Sequence, residues 1–421
     1  MKVLVVGSGA REHALTWKLK QSPSVSALYC LPGNAGTAQI ATNLKGSASE
    51  LDTVIAAAKQ HGIELVVVGP EDPLVAGLVD QLHEAGILAF GPDRAGAQLE
   101  GSKAFSKELM HEAGVPTADF RVFTDADEAE RYVRAAGRPL VVKADGLAAG
   151  KGVVVAKDGD EAAAAIDTIM RKRAYGSAGE RVVVEETLRG QEVSYHVVSD
   201  GERYVALAPA QDHKRIFDHD EGPNTGGMGA YSPPPVVTPE VEKKILTQVI
   251  EPTLAAMKRR GTPFRGALFV GLMVEDGEPR VLEYNTRFGD PETEVLMVRW
   301  HGDVLPLLLG SARGDLRGVE TQWAAPAALC VVMASGGYPG SYTKGTRILG
   351  LESVGQEALV FHAGTAEQDG HVVTSGGRVL TVTSTGQSID EAAARAYAVV
   401  RQIHFEGAQH RTDIGHHART K

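Results

Sequence analysis

The first hundred residues alternate short apolar strands with segments of helical periodicity, and this alternation restricts the fold more than any other feature of the chain. Apolar runs at residues 3–6, 26–30, 63–68 and 87–90 predict strands, with helical segments between them. Strands that alternate with helices form a parallel sheet with helices on both faces. We therefore predict a doubly wound parallel sheet over residues 1–101.

Glycine-rich turns follow three of these strands, at Gly7-Ser8-Gly9, Pro32-Gly33-Asn34-Ala35-Gly36 and Gly69-Pro70-Glu71. Parallel sheets bind ligands at the carboxyl ends of their strands, and the amides at a helix N-terminus attract phosphate. Three such turns at adjacent strand ends favour a sugar-phosphate site over turns that only reverse the chain. Its expected residues are Gly9, Arg11, Glu12, Gly33, Asn34, Gly36, Pro70 and Glu71.

The same Gly-x-Gly turn also begins a dinucleotide-binding fingerprint, so an NAD-dependent oxidoreductase is an alternative from another class of enzyme. Glu12 stands where that fingerprint has its third glycine. The second strand ends in Leu31-Pro32-Gly33, which supplies no acid to bind a ribose hydroxyl. A nicotinamide or flavin cofactor is therefore disfavoured.

A lysine and a glycine-rich loop follow the apolar strand predicted at residues 139–143. Lysine supplies a point charge, and backbone amides of such a loop close around phosphate oxygens. The loop is not a Walker A sequence, which has Gly-Lys-Ser/Thr at the start of a helix. A surface hairpin with solvated lysines is the alternative. The triphosphate site is expected at Lys143, Gly146, Gly150, Lys151 and Gly152.

Acidic residues end the next apolar strand, at Glu185 and Glu186, and Glu192 follows six residues later. Their carboxylates suit an adenine amino group or ribose hydroxyls, although a solvated strand end has the same composition. Further on, Asp212 is suited to hold an amine, and Lys214 or Arg215 to hold a carboxylate or phosphate.

The clearest local pattern is a β-hairpin, predicted from strands at residues 264–275 and 278–285 that are joined by Asp276-Gly277. Side chains alternate along a strand, so Glu283 and Asn285 share a face. One carboxylate and one amide oxygen suit Mg²⁺, which also binds phosphate oxygens and water. Arg287 follows directly and places a cation beside this site; an edge strand with its polar face in water is the alternative.

These residues resemble the ATP-grasp superfamily and, within it, the phosphoribosylamine–glycine ligases (glycinamide ribonucleotide synthetases). The resemblance covers essentially the whole chain. It rests on GSGAREHA at 7–14, PGNAGT at 32–37, VGPEDPL at 68–74, LEGSKAFSK at 99–107, KADGLAAGKGV at 143–153, QDHKR at 211–215, GPNTGGMGAYSP at 222–233 and EYNTRFGDPETE at 283–294. The chain departs from the family pattern at Ala10, where relatives often carry glycine, and at His416-His417, which replaces Trp and Arg.

The resemblance implies four domains and an ATP-grasp fold, in which a lid and a mixed or antiparallel central sheet enclose the nucleotide. The phosphoribosylamine-binding domain is expected at 1–101, the central domain at 102–121 and 191–325, the lid at 122–190, and a small α+β domain at 326–421. The implied ATP pocket contains Lys103, Lys143, Glu185, Glu186, Leu188 and Glu192.

The implied reaction joins glycine to 5-phosphoribosylamine through glycyl phosphate, with ATP and Mg²⁺ as cofactors and Mn²⁺ as a substitute metal. Lys143 would bind the phosphates, Arg287 would stabilise the transferred phosphoryl group, and Asp212 would orient the glycine ammonium. The expected metal ligands are Glu283 and Asn285. The alternatives are an ATP-grasp ligase with other substrates and a non-catalytic nucleotide sensor.

Composition restricts the remaining function classes. A net charge of −10 disfavours non-specific binding to nucleic acid. Cys30 and Cys330 form no metal or disulfide pattern, so we expect both to be buried and reduced. No signal peptide and no apolar stretch of about 20 residues is recognisable. We expect a cytoplasmic protein with no membrane partner, as a monomer or weak dimer.

Overall fold

The computed structural model describes residues 1–148 and 152–419, and its first sheet is parallel throughout. The strand order β3-β2-β1-β4-β5 changes its direction of winding between β1 and β4, where doubly wound sheets open a ligand crevice. The predicted doubly wound sheet is thus confirmed. Its elements are β1 (Lys2–Gly7), α1 (Ala10–Leu19), β2 (Ala27–Pro32), a 3₁₀ turn (Thr37–Gln39), β3 (Thr42–Asn43), α2 (Leu51–His61), β4 (Leu65–Val68), α3 (Glu71–Ala76), α4 (Leu78–Glu84) and β5 (Leu88–Phe90).

Two helices, α3 and α4, fill the segment between β4 and β5, and they meet at Gly77. Gly77 has a φ of +91°, a left-handed conformation that glycine adopts readily and that ends helices. A Cβ atom at this position would lie 2.8 Å from Nε of Arg94. Because of this break, α3 is a short helix. Its first residue, Glu71, follows closely after the end of β4.

A helical linker leads out of the first sheet through α5 (Gln98–Gly101) and α6 (Lys103–Ala113). The hydroxyl of Ser102 accepts a hydrogen bond from the Phe105 amide at 3.1 Å and caps α6. Gly114, with a φ of +68°, ends it.

The second sheet is antiparallel, with the order β6-β9-β7-β8. Leu140, Val142 and Ala144 pack against its two helices, so the alternate residue Lys143 lies on the opposite face. The elements are β6 (Phe120–Phe123), α7 (Ala126–Ala136), β7 (Leu140–Ala144), β8 (Val153–Ala156), α8 (Gly159–Ile166), a π-helical turn (Asp167–Arg171), a 3₁₀ turn (Gly176–Gly179) and β9 (Val182–Glu186).

The third part of the chain contains the predicted hairpin. Its elements are β10 (Gln191–Asp200), β11 (Tyr204–Ala206), β12 (Gln211–Asp212), β13 (Arg215–Phe217), a 3₁₀ turn (Asp218–Asp220), β14 (Glu221–Asn224), β15 (Gly229–Ser232), α9 (Pro239–Lys244), a π-helical segment (Ile245–Ile250), α10 (Glu251–Arg259), β16 (Arg265–Glu275), β17 (Glu278–Asn285), α11 (Glu292–Arg299) and α12 (Leu305–Arg313). The central sheet is antiparallel in the order β11-β10-β16-β17. The lid-like and central antiparallel sheets confirm the predicted fold class.

The hairpin contains a bulge that matters for the site. Leu272 pairs with Val281 and Gly271 pairs with Glu283, so the pairing passes over Leu282. Val281 and Tyr284 can then both lie in the core, while Glu283 remains on the opposite face. A bulge of this kind leaves backbone groups of the extra residue unpaired.

The last part adds β18 (Ala327–Ala334), a 3₁₀ turn (Leu351–Ser353), β19 (Leu359–His362), β20 (Thr365–Gln368), β21 (His371–Thr374), β22 (Arg378–Gly386) and α13 (Ile389–Val400). Its sheet has the order β12-β15-β18-β22-β19, so it includes two strands from before residue 326. Asp212 therefore lies at the edge of a sheet that is completed by the end of the chain. Every helix in the described residues is too short or too polar to span a bilayer.

The parts are joined by apolar contacts. Leu19 of α1, Leu307 of α12 and Trp300, which follows α11, belong to one buried cluster that also includes one face of the first sheet. The packing brings the carboxyl ends of β1 and β4 against the loop that follows β17. Cys30 and Cys330 are buried and unpaired, as predicted.

Candidate active site

A cavity of about 270 Å³ opens at the carboxyl ends of β1 and β4. It lies at the crevice that the strand order predicts. The loop after β17 contributes Asp290 to its wall, so the cavity lies between the first sheet and the central part. Its lining residues are Gly7, Ser8, Gly9, Arg11, Glu12, Ala48, Ser49, Pro70, Asp72, Pro73 and Asp290.

The Glu12 carboxylate occupies the centre of the glycine turns. Its Oε2 accepts a hydrogen bond from the Gly9 amide at 2.6 Å, and its Oε1 lies 2.5 Å from Nε of Arg11. A Cβ atom at Gly69 would lie 2.0 Å from Oε1, and one at Gly7 would lie 2.6 Å from the same side chain. These glycines therefore make room for a buried carboxylate, a role that the sequence did not reveal.

Asn34 is fully engaged by the protein. Its Nδ2 donates to the carbonyls of Ser8, at 2.9 Å, and His362, at 2.6 Å. Its Oδ1 accepts from the amides of Gly36 and Thr37, both at 2.9 Å. In this structure Asn34 holds the second glycine turn to the first and to β19, rather than pointing a free amide into the cavity.

Arg287 lies between two acids from different parts of the fold. Its Nε is 3.1 Å from Oε2 of Glu71, and one of its terminal nitrogens is 3.0 Å from Oε1 of Glu100. Burial alone would raise the pKa of Glu71, but the charges of Arg287 and Arg11 lower it to about 2. Burial raises the pKa of Glu100, although Arg287 opposes this shift.

Glu100 was not among the predicted site residues. Besides Arg287 it binds the Thr286 amide, which donates to Oε2 at 2.7 Å. The side chain is buried, so its charge depends on these partners. Its place in the segment LEGSKAFSK at 99–107, which carries part of the resemblance, was a signal for it.

A buried lysine pair holds Glu185. Lys143 Nζ lies 2.9 Å from Oε1 and Lys107 Nζ lies 2.9 Å from Oε2. Lys143 also donates to the Leu282 carbonyl at 3.0 Å, which the bulge in β17 leaves available. Burial lowers the pKa of Lys107 to about 8, against the attraction of Glu185. Lys107 was missed, yet it lies one helical turn from Lys103 on α6, a spacing that puts both on one face.

Lys103 donates to the Gly146 carbonyl at 3.0 Å, at the start of the glycine loop. Burial lowers the pKa of Lys103, and Glu283 opposes this effect. Gly152 is buried, and its carbonyl accepts a hydrogen bond from the Ala144 amide at 2.8 Å. The predicted residues Gly150 and Lys151 lie outside the described residues.

Glu283 and Asn285 fit the hard cation that the family implies. They share the face of β17 opposite the core, and neither side chain hydrogen-bonds to another described residue. Burial alone would raise the pKa of Glu283, but Lys214, Lys143, Lys103 and Arg287 lower it. A carboxylate and an amide oxygen with free lone pairs suit Mg²⁺.

A second charged group surrounds Asp212. Lys214 Nζ lies 3.0 Å from Oε2 of Glu192. Burial raises the pKa of Asp212 to about 8, and Glu292 and Glu192 add to the shift while Lys214 opposes it. Glu292 is buried and accepts a hydrogen bond from Ser194 at 2.7 Å. Glu292 was not among the site residues predicted from the sequence.

Glu186 points to other partners than Glu185. Its carboxylate lies 2.5 Å from Arg280 and accepts a hydrogen bond from the Asp119 amide at 3.1 Å. Leu188 is half-buried in the following loop. The two acids of β9 therefore point in different directions. Glu185 points toward the lysine pair, and Glu186 points toward Arg280 on β17.

Family models match nearly the whole chain. Models described as phosphoribosylglycinamide synthetase match residues 1–100 (N domain), 101–293 (ATP-grasp (A) domain) and 328–417 (C domain). A phosphoribosylamine–glycine ligase of Agrobacterium fabrum is 53% identical over 415 residues, covering 99% of this chain and 98% of the relative. One from Vibrio vulnificus is 50% identical over 422 residues with the same two coverages.

Solved structures agree with these matches. The crystal structure of a phosphoribosylamine–glycine ligase from Thermotoga maritima superposes with a TM-score of 0.88 at 35% identity, covering 99% of this chain and 100% of that chain. The biotin carboxylase domain of a Hydrogenobacter thermophilus 2-oxoglutarate carboxylase, in complex with MgADP, has a TM-score of 0.76 at 17% identity, over 97% and 91%. The second likeness shows a shared fold alone. The chain belongs to the phosphoribosylglycinamide synthetase family of ATP-grasp proteins, which includes the phosphoribosylamine–glycine ligases.

Proposed function

We propose that this chain joins glycine to 5-phosphoribosylamine and converts ATP to ADP and phosphate in doing so, giving glycinamide ribonucleotide for purine synthesis. The observation that carries the proposal is the position of Arg287. It lies between the cavity at β1 and β4 and the lysine–acid cluster at β7, β9 and β17. Two substrates held on either side of this guanidinium would meet beside it.

The reaction proceeds in two steps. A carboxylate oxygen of glycine attacks the γ-phosphorus of ATP, and the bond to the β–γ bridging oxygen breaks, so that ADP leaves with that electron pair. The amine nitrogen of phosphoribosylamine then attacks the carbonyl carbon of glycyl phosphate. The bond from this carbon to the phosphate oxygen breaks, phosphate leaves, and the nitrogen loses a proton. No protein residue forms a covalent bond.

The nucleotide is proposed to bind between the lid sheet and the central sheet. Lys143 and Lys103 would neutralise phosphate oxygens, and the loop from Gly146 to Gly152 would supply amides. Glu185, Glu186, Leu188 and Glu192 would line the base and ribose. Mg²⁺ held by Glu283 and Asn285, with Mn²⁺ as a substitute, would neutralise charge on the triphosphate. In phosphoryl transfer the protein mainly positions the partners and stabilises charge.

Glycine is proposed to bind at the group around Asp212. The Asp212 carboxylate would accept hydrogen bonds from the glycine ammonium, and Lys214 would attract its carboxylate. Arg287 would stabilise the acyl phosphate as it forms. A closed lid would exclude water, because acyl phosphates hydrolyse.

Phosphoribosylamine is proposed to bind in the cavity of about 270 Å³ at β1 and β4. Arg11 and the turn residues Gly9 and Pro70 would face the sugar phosphate, with Glu71 near its amine. Asn34, with Gly33 and Gly36 in the neighbouring turn, would support the cavity from behind by holding the carbonyl of its lining residue Ser8. The domains proposed for these roles are 1–101 for the amine substrate, 102–121 and 191–325 for the central part, 122–190 for the lid, and 326–421 for the remainder.

A coupled assay for ADP tests the proposal, with glycine and phosphoribosylamine omitted in turn. We expect ADP release only when both are present with ATP and Mg²⁺. ADP release with a different acid and amine would favour the alternative ATP-grasp ligase. Nucleotide binding without any ADP release would favour a sensor. We also propose that the protein is a cytoplasmic monomer or weak dimer, and that its activity requires neither nucleic acid nor a membrane.

A further inference from the structure

Three imidazoles surround one carboxylate outside the residues used above. Asp220 ends the 3₁₀ turn between β13 and β14, and the end of the described chain packs against it. Its Oδ2 lies 3.5 Å from Nε2 of His416 and 3.7 Å from Nε2 of His417. Nδ1 of His213 lies 3.8 Å from Oδ1. Ligand atoms of His213, Asp220 and His416 all lie within 4.8 Å of one another.

The two oxygens of Asp220 have different surroundings. Oδ1 accepts a hydrogen bond from the buried guanidinium of Arg411 at 2.7 Å. His213 also faces Oδ1, and its Nε2 accepts a hydrogen bond from the Gly415 amide at 2.9 Å. A neutral His213 must therefore carry its proton on Nδ1. These contacts hold Oδ1 and leave Oδ2 directed at the other two rings.

The His416 ring is oriented from its far side. Its Nδ1 lies 3.2 Å from the backbone oxygen of Asp413 and 3.5 Å from Oδ2 of the same residue. A proton on Nδ1 leaves the lone pair of Nε2 pointing at Asp220. Metal-binding histidines are commonly held in this way, by a carboxylate or carbonyl on the nitrogen that does not bind the ion.

The charge of the region also favours a cation. Among the described residues, three carboxylates, those of Asp218, Asp220 and Asp413, lie around the guanidinium of Arg411. Asp218 contacts the backbone and hydroxyl of Thr412 rather than a second cation. With neutral imidazoles the group is therefore negative before any ion binds.

We propose that Asp220 Oδ2, His416 Nε2 and His417 Nε2 form a site for a divalent transition-metal ion such as Zn²⁺ or Co²⁺. Ligand atoms at about 2.0–2.2 Å from a tetrahedral ion are roughly 3.4 Å apart. Asp220 Oδ2 lies within a few tenths of an ångström of this distance from each of the two ring nitrogens, at 3.5 Å from His416 and 3.7 Å from His417. Imidazole ligands select transition metals over Mg²⁺. The two rings are 31% and 36% exposed, so water can complete the coordination.

The ion would fasten the end of the chain to the β13–β14 hairpin. That hairpin begins directly after Lys214, and β12 with Asp212 lies just before it. The site is thus a cross-link between the last residues of the chain and the segment that carries the proposed glycine site. The His416-His417 pair, which departs from the family pattern, has no part in the proposed ligase chemistry.

Co²⁺ binding tests the proposal. Untagged full-length protein is stripped with EDTA, dialysed into excess Mg²⁺ to fill the Glu283–Asn285 site, and titrated with Co²⁺ by calorimetry and visible absorption. We expect one equivalent to bind with ligand-field bands. His416→Gln and His417→Gln should each weaken binding at least about tenfold, which is typical when the immediate surroundings of a metal are altered. His371→Gln, at an exposed histidine of β21, is the matched control and should bind as the wild type does.

Thermal unfolding gives an independent measurement. An ion that binds only the folded chain raises its melting temperature, so Co²⁺ should stabilise the wild type and the control but neither variant. Absence of a Co²⁺ equivalent in the presence of Mg²⁺ would overturn the proposal. If His416→Gln or His417→Gln bound Co²⁺ with the affinity of the wild type, the ligand set would be overturned. It would also be overturned if Glu283→Gln were the only variant that lost the bound Co²⁺.

Discussion

Arg287 reaches from the loop after β17 to Glu71 at the start of α3, with its Nε 3.1 Å from Oε2 of Glu71. The same guanidinium lies 3.0 Å from Glu100 of the linker helix. One cation therefore connects the first sheet, the linker and the central hairpin. Because the ion pairs are largely buried, removing one partner leaves the others uncompensated.

Glu71→Gln tests this connection while keeping the side chain's shape. Arg287 would keep Glu100 but lose one charged partner on the cavity side. Hydrogen bonds to charged groups contribute about 1.5–3 kcal/mol, so kcat/KM for phosphoribosylamine should fall by roughly one to two decades. The dissociation constant of ATP should stay within about twofold. Glu84→Gln, at an exposed acid of α4, is the control, and an equal loss in both variants would contradict the assignment.

Arg11→Ala and Lys143→Ala should separate the two substrate sites. Arg11 faces the cavity at β1, so its loss should raise KM for phosphoribosylamine and leave ATP binding nearly unchanged. Lys143 lies on the lid sheet beside Glu185, so its loss should weaken ATP binding first. Nucleotide titration of both variants, with steady-state kinetics in phosphoribosylamine, measures this. Equal weakening of ATP binding in the two variants would place the first sheet in the nucleotide site.

Glu283→Gln should abolish turnover while the fold is retained. The substitution keeps an oxygen on β17 but removes the negative charge that Mg²⁺ requires beside the triphosphate. Activity should return in part at high Mg²⁺ concentration, and circular dichroism should be unchanged. Glu275→Gln, at an exposed acid on the neighbouring strand, is the control. Near-normal activity of Glu283→Gln at ordinary Mg²⁺ concentration would remove the residue from the metal site.

The raised pKa of Asp212 predicts that kcat/KM for glycine depends on pH. Its carboxyl must be ionised to hold the glycine ammonium, and burial raises its pKa to about 8. The value of kcat/KM for glycine should therefore rise with pH up to about 8 and level off above it. Asp212→Asn should lower activity and remove this rise. A wild-type profile that is flat between pH 6 and about 9 would contradict the role.

The same shift predicts a change in stability. The pKa of Asp212 is raised in the folded chain above its ordinary value of 3.8, so folding favours the protonated form. The stabilisation that the protonated Asp212 carboxyl gives to the folded chain is fully present below pH 3.8 and is lost as the pH rises through about 8. Asp212→Asn should therefore unfold at a higher temperature than the wild type at alkaline pH, with a smaller difference in acid. Thermal unfolding at both pH values measures this difference.

Gly69→Ala should damage the cavity because the added Cβ would lie 2.0 Å from Oε1 of Glu12. The Glu12 side chain would have to leave the Gly9 amide, which would lose its hydrogen bond. We expect a lower melting temperature and a raised KM for phosphoribosylamine. Gly355→Ala is the matched control, because a Cβ atom there meets nothing within 4 Å. Equal behaviour of the two variants would show that Glu12 adapts freely.

The sequence by itself determined the fold class and many of the elements. The alternation of strands and helices predicted the parallel sheet. Each element could be recognised because apolar residues recur with a different period in a strand than in a helix. The hairpin turn at Asp276-Gly277 was also readable, since it depends on neighbours within a few residues. The shared face of Glu283 and Asn285 followed from side-chain alternation alone.

Only the tertiary structure decided which distant residues meet. Asn34 was predicted to face a substrate, but its amide holds Ser8 and the His362 carbonyl, 328 residues away. Lys107 became part of the site because α6 packs beside β9, and the bulge at Leu282 freed a carbonyl for Lys143. Such contacts depend on strand register and domain packing, which arise from the summed burial of many residues and leave no local pattern in the chain.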